Sequence, residues 1–281
     1  MLLKFFRANL AHRCLVSGVK QLIAFFAVAV LLLASQPLFA EPALDQNSPT
    51  KQVYRIGVED LDYYPHYAFG YRDDSFAKAL FEDFFHSEQL EVQFIPLPLK
   101  RFNQWLLEQD IDFKYPDNPV WRQNESNPLP VIYSEQVIEL LAGTIVPIDK
   151  VGMKRNNIHR VGTILGFHPT LWMDRIAKQQ TQVLTDPNVV SVIKMPLNGL
   201  VDAIDMDYSV VHFHLQAMNH TKALVVDKSL PHHKIGYYFS TLKYPELIAR
   251  FNQYQKDNQV FIQQLKIKYD IIETPFDLNS F

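Results

Sequence analysis

Residues 53–70 read VYRIGVEDLDYYPHYAFG, and the change of pattern inside this stretch decides the fold. Residues 53–58 (VYRIGV) are rich in β-branched and apolar side chains and predict a buried strand, whereas residues 60–70 (DLDYYPHYAFG) combine acidic residues, Pro and Gly with a dense aromatic patch and predict a loop. Ser75 is a good N-cap for a helix over residues 76–85, where Phe76, Leu80, Phe81, Phe84 and Phe85 recur at helical spacing. Residues 90–96 (LEVQFIP) alternate like a strand. Residues 100–108 (KRFNQWLLE) place Phe102, Trp105 and Leu106 on one helical stripe, and residues 111–113 begin the next strand. Strand, helix, strand, helix, strand is the signature of a parallel sheet wrapped by helices.

The pattern restarts further along. Residues 137–146 (VIELLAGTIV) and 160–165 (RVGTIL) are strand-like, residues 170–178 predict a helix, and residues 189–194 (VVSVIK) predict a strand. Residues 203–206 (AIDM) make another short strand, followed by a helix from Ser209 into the histidines beyond it. Residues 234–239 (KIGYYF) are a strand, and residues 244–267 carry Leu247, Phe251, Tyr254, Phe261 and Leu265 on helices. Two α/β lobes with a short connection are expected, with a cleft between them.

The chain has 281 residues, 48% of them apolar and 13% aromatic, so it can bury a large core without disulfides. Residues 1–40 read as an export signal: Lys4, Arg7, Arg13 and Lys20 precede an apolar run over residues 22–34, too short for a comfortable membrane span, and cleavage after Ala40 is plausible despite Leu38. Residues 41–52 then form a linker. Cys14, the single cysteine, falls in that leader, so the mature chain has no thiol nucleophile or cysteine metal knuckle. Removing the leader leaves 23 of the 27 basic residues against 30 acidic ones, a formal net charge of −7, which is no nucleic-acid footprint. Glycine-rich phosphate loops and internal repeats are absent from the sequence, and no cofactor is implied.

Several weak motifs in a fixed order carry a resemblance: GVEDLDYYP, FAKALFEDFF, VQFIPLPLKRFNQWL with DIDF, VIYSEQVIELLAGTIV, VGTILG, LNGLVDAIDMD and GYYFSTLKYPELIARFNQYQ. Together, over roughly residues 53–270, the chain resembles the type II periplasmic solute-binding proteins, specifically the family 3 extracellular group that includes polar amino acid receptors. The resemblance implies an α/β, two-lobed periplasmic binding protein type II fold with a hinged interlobe cleft. The first lobe is expected over residues 53–140 and 239–281 and the second over residues 141–238. It also implies a monomer in the periplasm that captures a small polar solute, an amino acid or related compound, and presents it to the membrane permease of an ABC-type transporter.

By position, Arg122 resembles the family's carboxylate-binding arginine, Asp207 its ammonium acceptor, and Tyr63, with Tyr64 beside it, the aromatic that stacks on the ligand. A guanidinium fork matches a carboxylate bidentately, so the chemistry is sound. The sequence departs from the family at two places. Gly166, Phe167 and His168 stand where a Gly and small hydroxyl residues are usual. FKYPDNPVWR puts Tyr115, Asp117 and Trp121 near the supposed cleft, where Asp117 could pair with Arg122 and cancel its charge. An aromatic-lined site for a polar or cationic ligand is therefore the competitor to an α-amino acid site. Asp207 also suits the N-cap of the following helix. His212, His214, His220, His232 and His233 invite a metal reading, but positions two apart on a helix do not face the same way, and no metal site is expected. Two other functions stay open: a sensory input protein delivering its ligand-bound state to a membrane receptor, and a same-fold enzyme resembling cyclohexadienyl dehydratases, with His168, Lys114 and Asp117 as acid and base.

Overall fold

Apolar residues at alternate positions of β1 (Val53–Glu59) bury Ile56 and Val58 completely, and the strand pairs in parallel with β2 (Glu91–Leu97) on one side and β3 (Phe113–Asp117) on the other. In the register, Val53 is opposite Glu91 and Val58 is opposite Tyr115. This computed structural model describes residues 52–108, 110–122 and 128–273, without the side chains of Phe102 and Asn103. The expected leader, nearly all of the linker, the last eight residues and the Phe102 position of the helical stripe lie outside the described residues.

The predicted first helix is α1 (Phe76–Ser87). Ser75 caps it by accepting from the Lys78 backbone N–H at 3.4 Å, and its next donors are taken by the aromatic loop: Phe76 N–H by the Pro65 carbonyl at 3.1 Å and Ala77 N–H by that of His66 at 2.9 Å. Phe76, Leu80, Phe81, Phe84 and Phe85 are all fully buried, worth about 1.5–3 kcal/mol each for the apolar surface removed from water. Loop and helix are thereby fixed to each other before any ligand chemistry is considered.

The described residues form ten strands in one sheet, ordered β2-β1-β3-β10-β5-β8-β6-β7, with β4 (Ile132–Tyr133) on β10 and β9 (Leu224–Val226) on β5. β5 (Ile138–Pro147), β6 (Arg160–Ile164), β7 (Gln182–Asp186) and β8 (Ala203–Asp207) make the second half, in which β6 runs parallel to both β7 and β8. β10 (His232–Thr241) hands over between the halves: residues His232 to Tyr237 pair with β5, while Tyr238, Ser240 and Thr241 pair with β3 across a register shift. Gly236 sits at this handover, where an added Cβ would lie 2.6 Å from Gln136 Oε1 and 2.9 Å from the Tyr238 ring. A side chain there would have to displace the end of Gln136 and the Tyr238 ring. The helices α2 (Met173–Ala177), α3 (Val189–Leu197), α4 (Tyr208–Ala217), α5 (Pro245–Asp257) and α6 (Gln259–Lys268) complete the two-lobed α/β fold.

Three expectations need correction. Residues 189–194, read as a strand from their β-branched composition, belong to α3: Asn188 caps it by accepting from Ser191 N–H at 2.9 Å, and Val189, Val192, Ile193 and Pro196 are buried at helical spacing. The strand of this unit is β7, just before it. The helix expected over residues 170–178 is a 3-10 turn (Thr170–Trp172) running into the short α2. The one expected over residues 100–108 is a 3-10 segment (Leu99–Leu107), closed by i→i+3 bonds such as Arg101 N–H to the Pro98 carbonyl at 3.0 Å, which still buries Trp105 and Leu106. Among the described residues no helix is long and apolar enough to cross a membrane.

Candidate functional site

In open α/β sheets the crevice outside the carboxyl ends of the parallel strands is where chemistry gathers, because side chains and helix N-termini converge there. Here β1 ends at Glu59, β3 at Asp117 and β8 at Asp207, all three buried. They belong to two separate clusters facing one seam between the lobes.

Asp117 is the hub of the first cluster. Its Oδ1 accepts from the Asn118 backbone N–H at 2.8 Å and lies 3.5 Å from Lys114 Nζ. Its Oδ2 accepts from Ser240 Oγ at 2.7 Å and from Arg122 Nη2 at 3.2 Å. Arg122 also donates through Nε to the Tyr133 hydroxyl at 3.1 Å, so its guanidinium is engaged on two sides, and the pairing with Asp117 anticipated in the sequence is present. Asn118 donates to the Gly236 carbonyl at 2.6 Å, which ties the hub to the strand handover. Above it, Glu59 accepts from the Tyr67 hydroxyl. Burial pushes the Glu59 carboxyl up to about 7, against the pull of Tyr67 and Lys114, and burial pushes the Lys114 ammonium down to about 7, against the pull of Asp117.

Asp207 is the centre of the second cluster. It caps α4, where its Oδ1 accepts from Ser209 N–H at 2.9 Å and Val210 N–H at 3.3 Å, as an N-cap aspartate should. The same oxygen meets His66 Nε2 of the other lobe at 2.6 Å, with the His66 side chain 0% exposed and that of Asp207 3% exposed. A carboxylate oxygen only accepts, so Nε2 carries the proton in this pair. Asp207 Oδ2, His66 Nδ1 and Tyr115 Oη are buried with no hydrogen-bond partner among the described residues. Asp205 precedes Asp207 by two on β8 and so shares its face of the strand, and burial pushes its carboxyl up to about 7.

Aromatic rings close the seam. Tyr63 accepts from the Asp207 backbone N–H at 3.1 Å, stacks on Tyr67 at 5.3 Å and meets Phe167 of the second lobe edge-on at 5.6 Å. Tyr237, on the handover strand, lies 6.2 Å from Tyr67, 6.3 Å from His66, 6.2 Å from Tyr115 and 5.9 Å from Trp121. Burial holds the Tyr63, Tyr67 and Tyr237 phenols well above their usual range, which keeps them neutral donors. Gly166, at φ +104°, is where the second lobe reaches Leu99: an added Cβ would stand 3.0 Å from the Leu99 Cβ.

Of the residues singled out from sequence, Tyr63, Tyr115, Asp117, Trp121, Arg122, Phe167 and Asp207 come together at this seam, and Gly166 touches it through Leu99. Tyr64 is turned elsewhere: its ring packs on Phe213 at 4.4 Å under the Arg72 guanidinium at 4.6 Å. His168 is exposed. Sequence reasoning missed Glu59, His66, Tyr67 and Tyr237 as site residues. The available signal was Glu59 as the carboxylate that ends an apolar strand, and a histidine set between tyrosines in the loop that follows it. Among the described residues no group of three or more His, Cys, Asp or Glu is arranged to hold a metal ion.

No protein-family model matches the sequence, and no curated protein matches it. Solved structures do resemble it in fold. An ancestral arginine-binding protein bound to arginine is 17% identical, with a TM-score of 0.61 over 77% of this chain and 97% of that one. An ancestral amino acid-binding protein, a precursor of cyclohexadienyl dehydratase, is 18% identical, with a TM-score of 0.58 over 77% and 95%. A substrate-binding protein of an ABC uptake transporter from Streptococcus pneumoniae, with bound histidine, is 13% identical, with a TM-score of 0.63 over 77% and 92%. The chain therefore has the two-lobed α/β fold of periplasmic binding proteins.

Proposed function

We propose that the chain is a solute-binding protein of the family 3 extracellular type, which takes up a small polar solute carrying an ammonium group between its lobes. The observation that carries this reading is Asp207, a buried carboxylate with one oxygen committed to its helix and to His66 and the other without a hydrogen-bond partner among the described residues. It sits at a seam lined by rings and contributed by both lobes, in a fold whose solved examples include proteins bound to arginine and to histidine. A solute touching both lobes favours the closed arrangement over the open one by its differential contacts.

On this reading the first lobe comprises residues 53–140 and 239–281 and the second residues 141–238, with β5 and β10 as hinge strands. The β10 handover at Tyr238 to Ser240 supports that boundary. Residues 1–40 direct export, the protein works as a monomer in the periplasm, and a membrane permease of the ABC type receives the solute. A sensory receptor would use the same closure event, and a neighbouring permease or kinase gene distinguishes the two.

A thermal-shift screen of the purified protein against amino acids, polyamines, small organic acids and cyclic acids tests the reading, because binding raises apparent stability by mass action. A stabilising compound recovered unchanged, with a decrease in the radius of gyration by small-angle scattering, is the expected result. Saturation without any compaction contradicts lobe closure. One observation favours an enzymatic second reading. Glu59 and Lys114, brought to about 7 beside the Tyr67 hydroxyl, have the proton affinity of general acid and base at neutral pH. Conversion of a cyclic acid in the same screen, followed by chromatography, selects that reading instead.

A further inference from the structure

Resting on the solute-binding reading, we propose that the seam is built for an organic amine without a free carboxylate, and not for a zwitterionic amino acid. The first ground is what the buried, unpartnered atoms can do. Asp207 Oδ2 can only accept while ionised; His66 Nδ1 also accepts while Nε2 carries the ring's proton toward Asp207; Tyr115 Oη can do either. An ammonium brings three donors and no acceptor and so suits these atoms. A carboxylate brings acceptors alone, and among these three atoms it finds a donor only in the Tyr115 hydroxyl.

The second ground is charge. The guanidinium expected to hold a ligand carboxylate already donates to Asp117 at 3.2 Å and Tyr133 at 3.1 Å, and Lys114 lies 3.5 Å from the same Asp117 carboxylate. Lys114 and Arg122 both pair with Asp117, with the Glu59 carboxyl beside them, while Asp207 adds a further carboxylate whose side-chain partner is the His66 imidazole. The formal balance is acidic. A desolvated ligand carboxylate would meet repulsion from Asp207, and an ammonium would meet attraction.

The third ground is the lining. Tyr63 and Tyr237 lie 6.2 and 6.3 Å from the His66 ring, with Tyr67, Phe167 and Trp121 packed on those two rings, and an aromatic face attracts a desolvated cation. Donor count, charge and lining select the same ligand class independently.

Probe pairs that differ by the carboxylate alone test the assignment: L-ornithine with putrescine, L-arginine with agmatine, and L-tyrosine with tyramine, each titrated calorimetrically into the purified protein. The expected result is that in at least one pair the amine binds tenfold or more tightly than its amino acid, a ratio of about 1.4 kcal/mol. Asp207→Asn keeps a good N-cap side chain, so it should retain the far-UV circular dichroism spectrum yet lose about 30-fold or more of that affinity. Amino acids binding as tightly as their amines, or more so, overturn the assignment and leave the solute reading standing. Binding by neither series overturns it too, and the solute reading is then judged by the wider screen. Retained amine affinity in a folded Asp207→Asn protein removes the carboxylate from the site and with it the assignment.

Discussion

Asp117 and Asp207 both end a strand at the same seam, both are buried, and they are used in opposite ways. Asp117 divides its two oxygens among Asn118, Lys114, Ser240 and Arg122. Asp207 gathers three donors on Oδ1 and leaves Oδ2 with none among the described residues. A fully satisfied carboxylate beside two buried cations holds structure together, because removing it strands those cations. A carboxylate half left open in a buried site carries an unmet demand for a donor, and that demand is what a ligand can meet. Position at a strand end therefore does not identify a binding residue; the completeness of its hydrogen bonding does.

The largest effect that sharpens this contrast should come from Asp117→Ala. It leaves Arg122 and Lys114 buried against each other, and urea denaturation should show a loss of about 3–5 kcal/mol. Arg122→Ala removes one cation and leaves Asp117 still bonded to Ser240, Asn118 and Lys114, so the expected loss is smaller, about 2–3 kcal/mol, with ligand affinity changed less than about threefold. An Arg122→Ala protein of unchanged stability that no longer binds would break the contrast, by moving Arg122 from the structural side to the ligand side.

Glu59 offers a pH-resolved test. Its native carboxyl holds a proton up to about 7, whereas in the unfolded chain it ionises near its ordinary 4.5, so the native state binds more protons across that window and stability falls as pH rises through it. Asp205 acts with the same sign. Lys114, lowered to about 7 from its ordinary 10.5, acts oppositely: between those values the unfolded chain holds the extra proton, so stability rises with pH. Each tenfold difference in proton affinity between the native and unfolded states is worth roughly 1.4 kcal/mol. Glu59→Gln should therefore lessen the loss of stability between pH 5 and 7 by about 1–3 kcal/mol and leave the rise above pH 7 in place. An identical pH profile in the variant would show that Glu59 does not titrate there. The smallest effect is expected away from the seam: Ser75→Ala removes the α1 cap at a cost of about 1 kcal/mol in chemical denaturation, with ligand binding unchanged.

Much of the fold was legible because its period was strong. The five buried apolar residues of α1 recur at helical spacing behind a serine cap, and β1, β2, β5, β8 and β10 appear as runs or alternations of apolar residues bounded by turn signals. Composition misled where it competed with period. VVSVIK is β-branched enough to suggest a strand, yet Asn188 and the i, i+3, i+4 burial of Val189, Val192 and Ile193 made it a helix. At the site, the ordered resemblance singled out Tyr63 and Asp207 and its departure from the family pattern singled out Asp117, and the structure brings all three to one seam. His66 was invisible as a site residue because its partner is 141 residues away, and nothing local distinguishes a cross-lobe imidazole from a solvated one. Tyr64, adjacent in sequence to Tyr63, begins the turn over residues 64–66, and its ring packs on Phe213 instead of joining the seam.

The most direct measurement compares Asp117→Asn and Asp207→Asn by thermal unfolding, with and without the strongest ligand from the probe pairs. Asp117→Asn is expected to unfold at lower temperature but still to be stabilised by the ligand, while Asp207→Asn unfolds near the unmodified protein's temperature and shows no ligand-induced shift. The reverse pattern, with ligand response lost in Asp117→Asn and kept in Asp207→Asn, would contradict the division of roles between the two carboxylates.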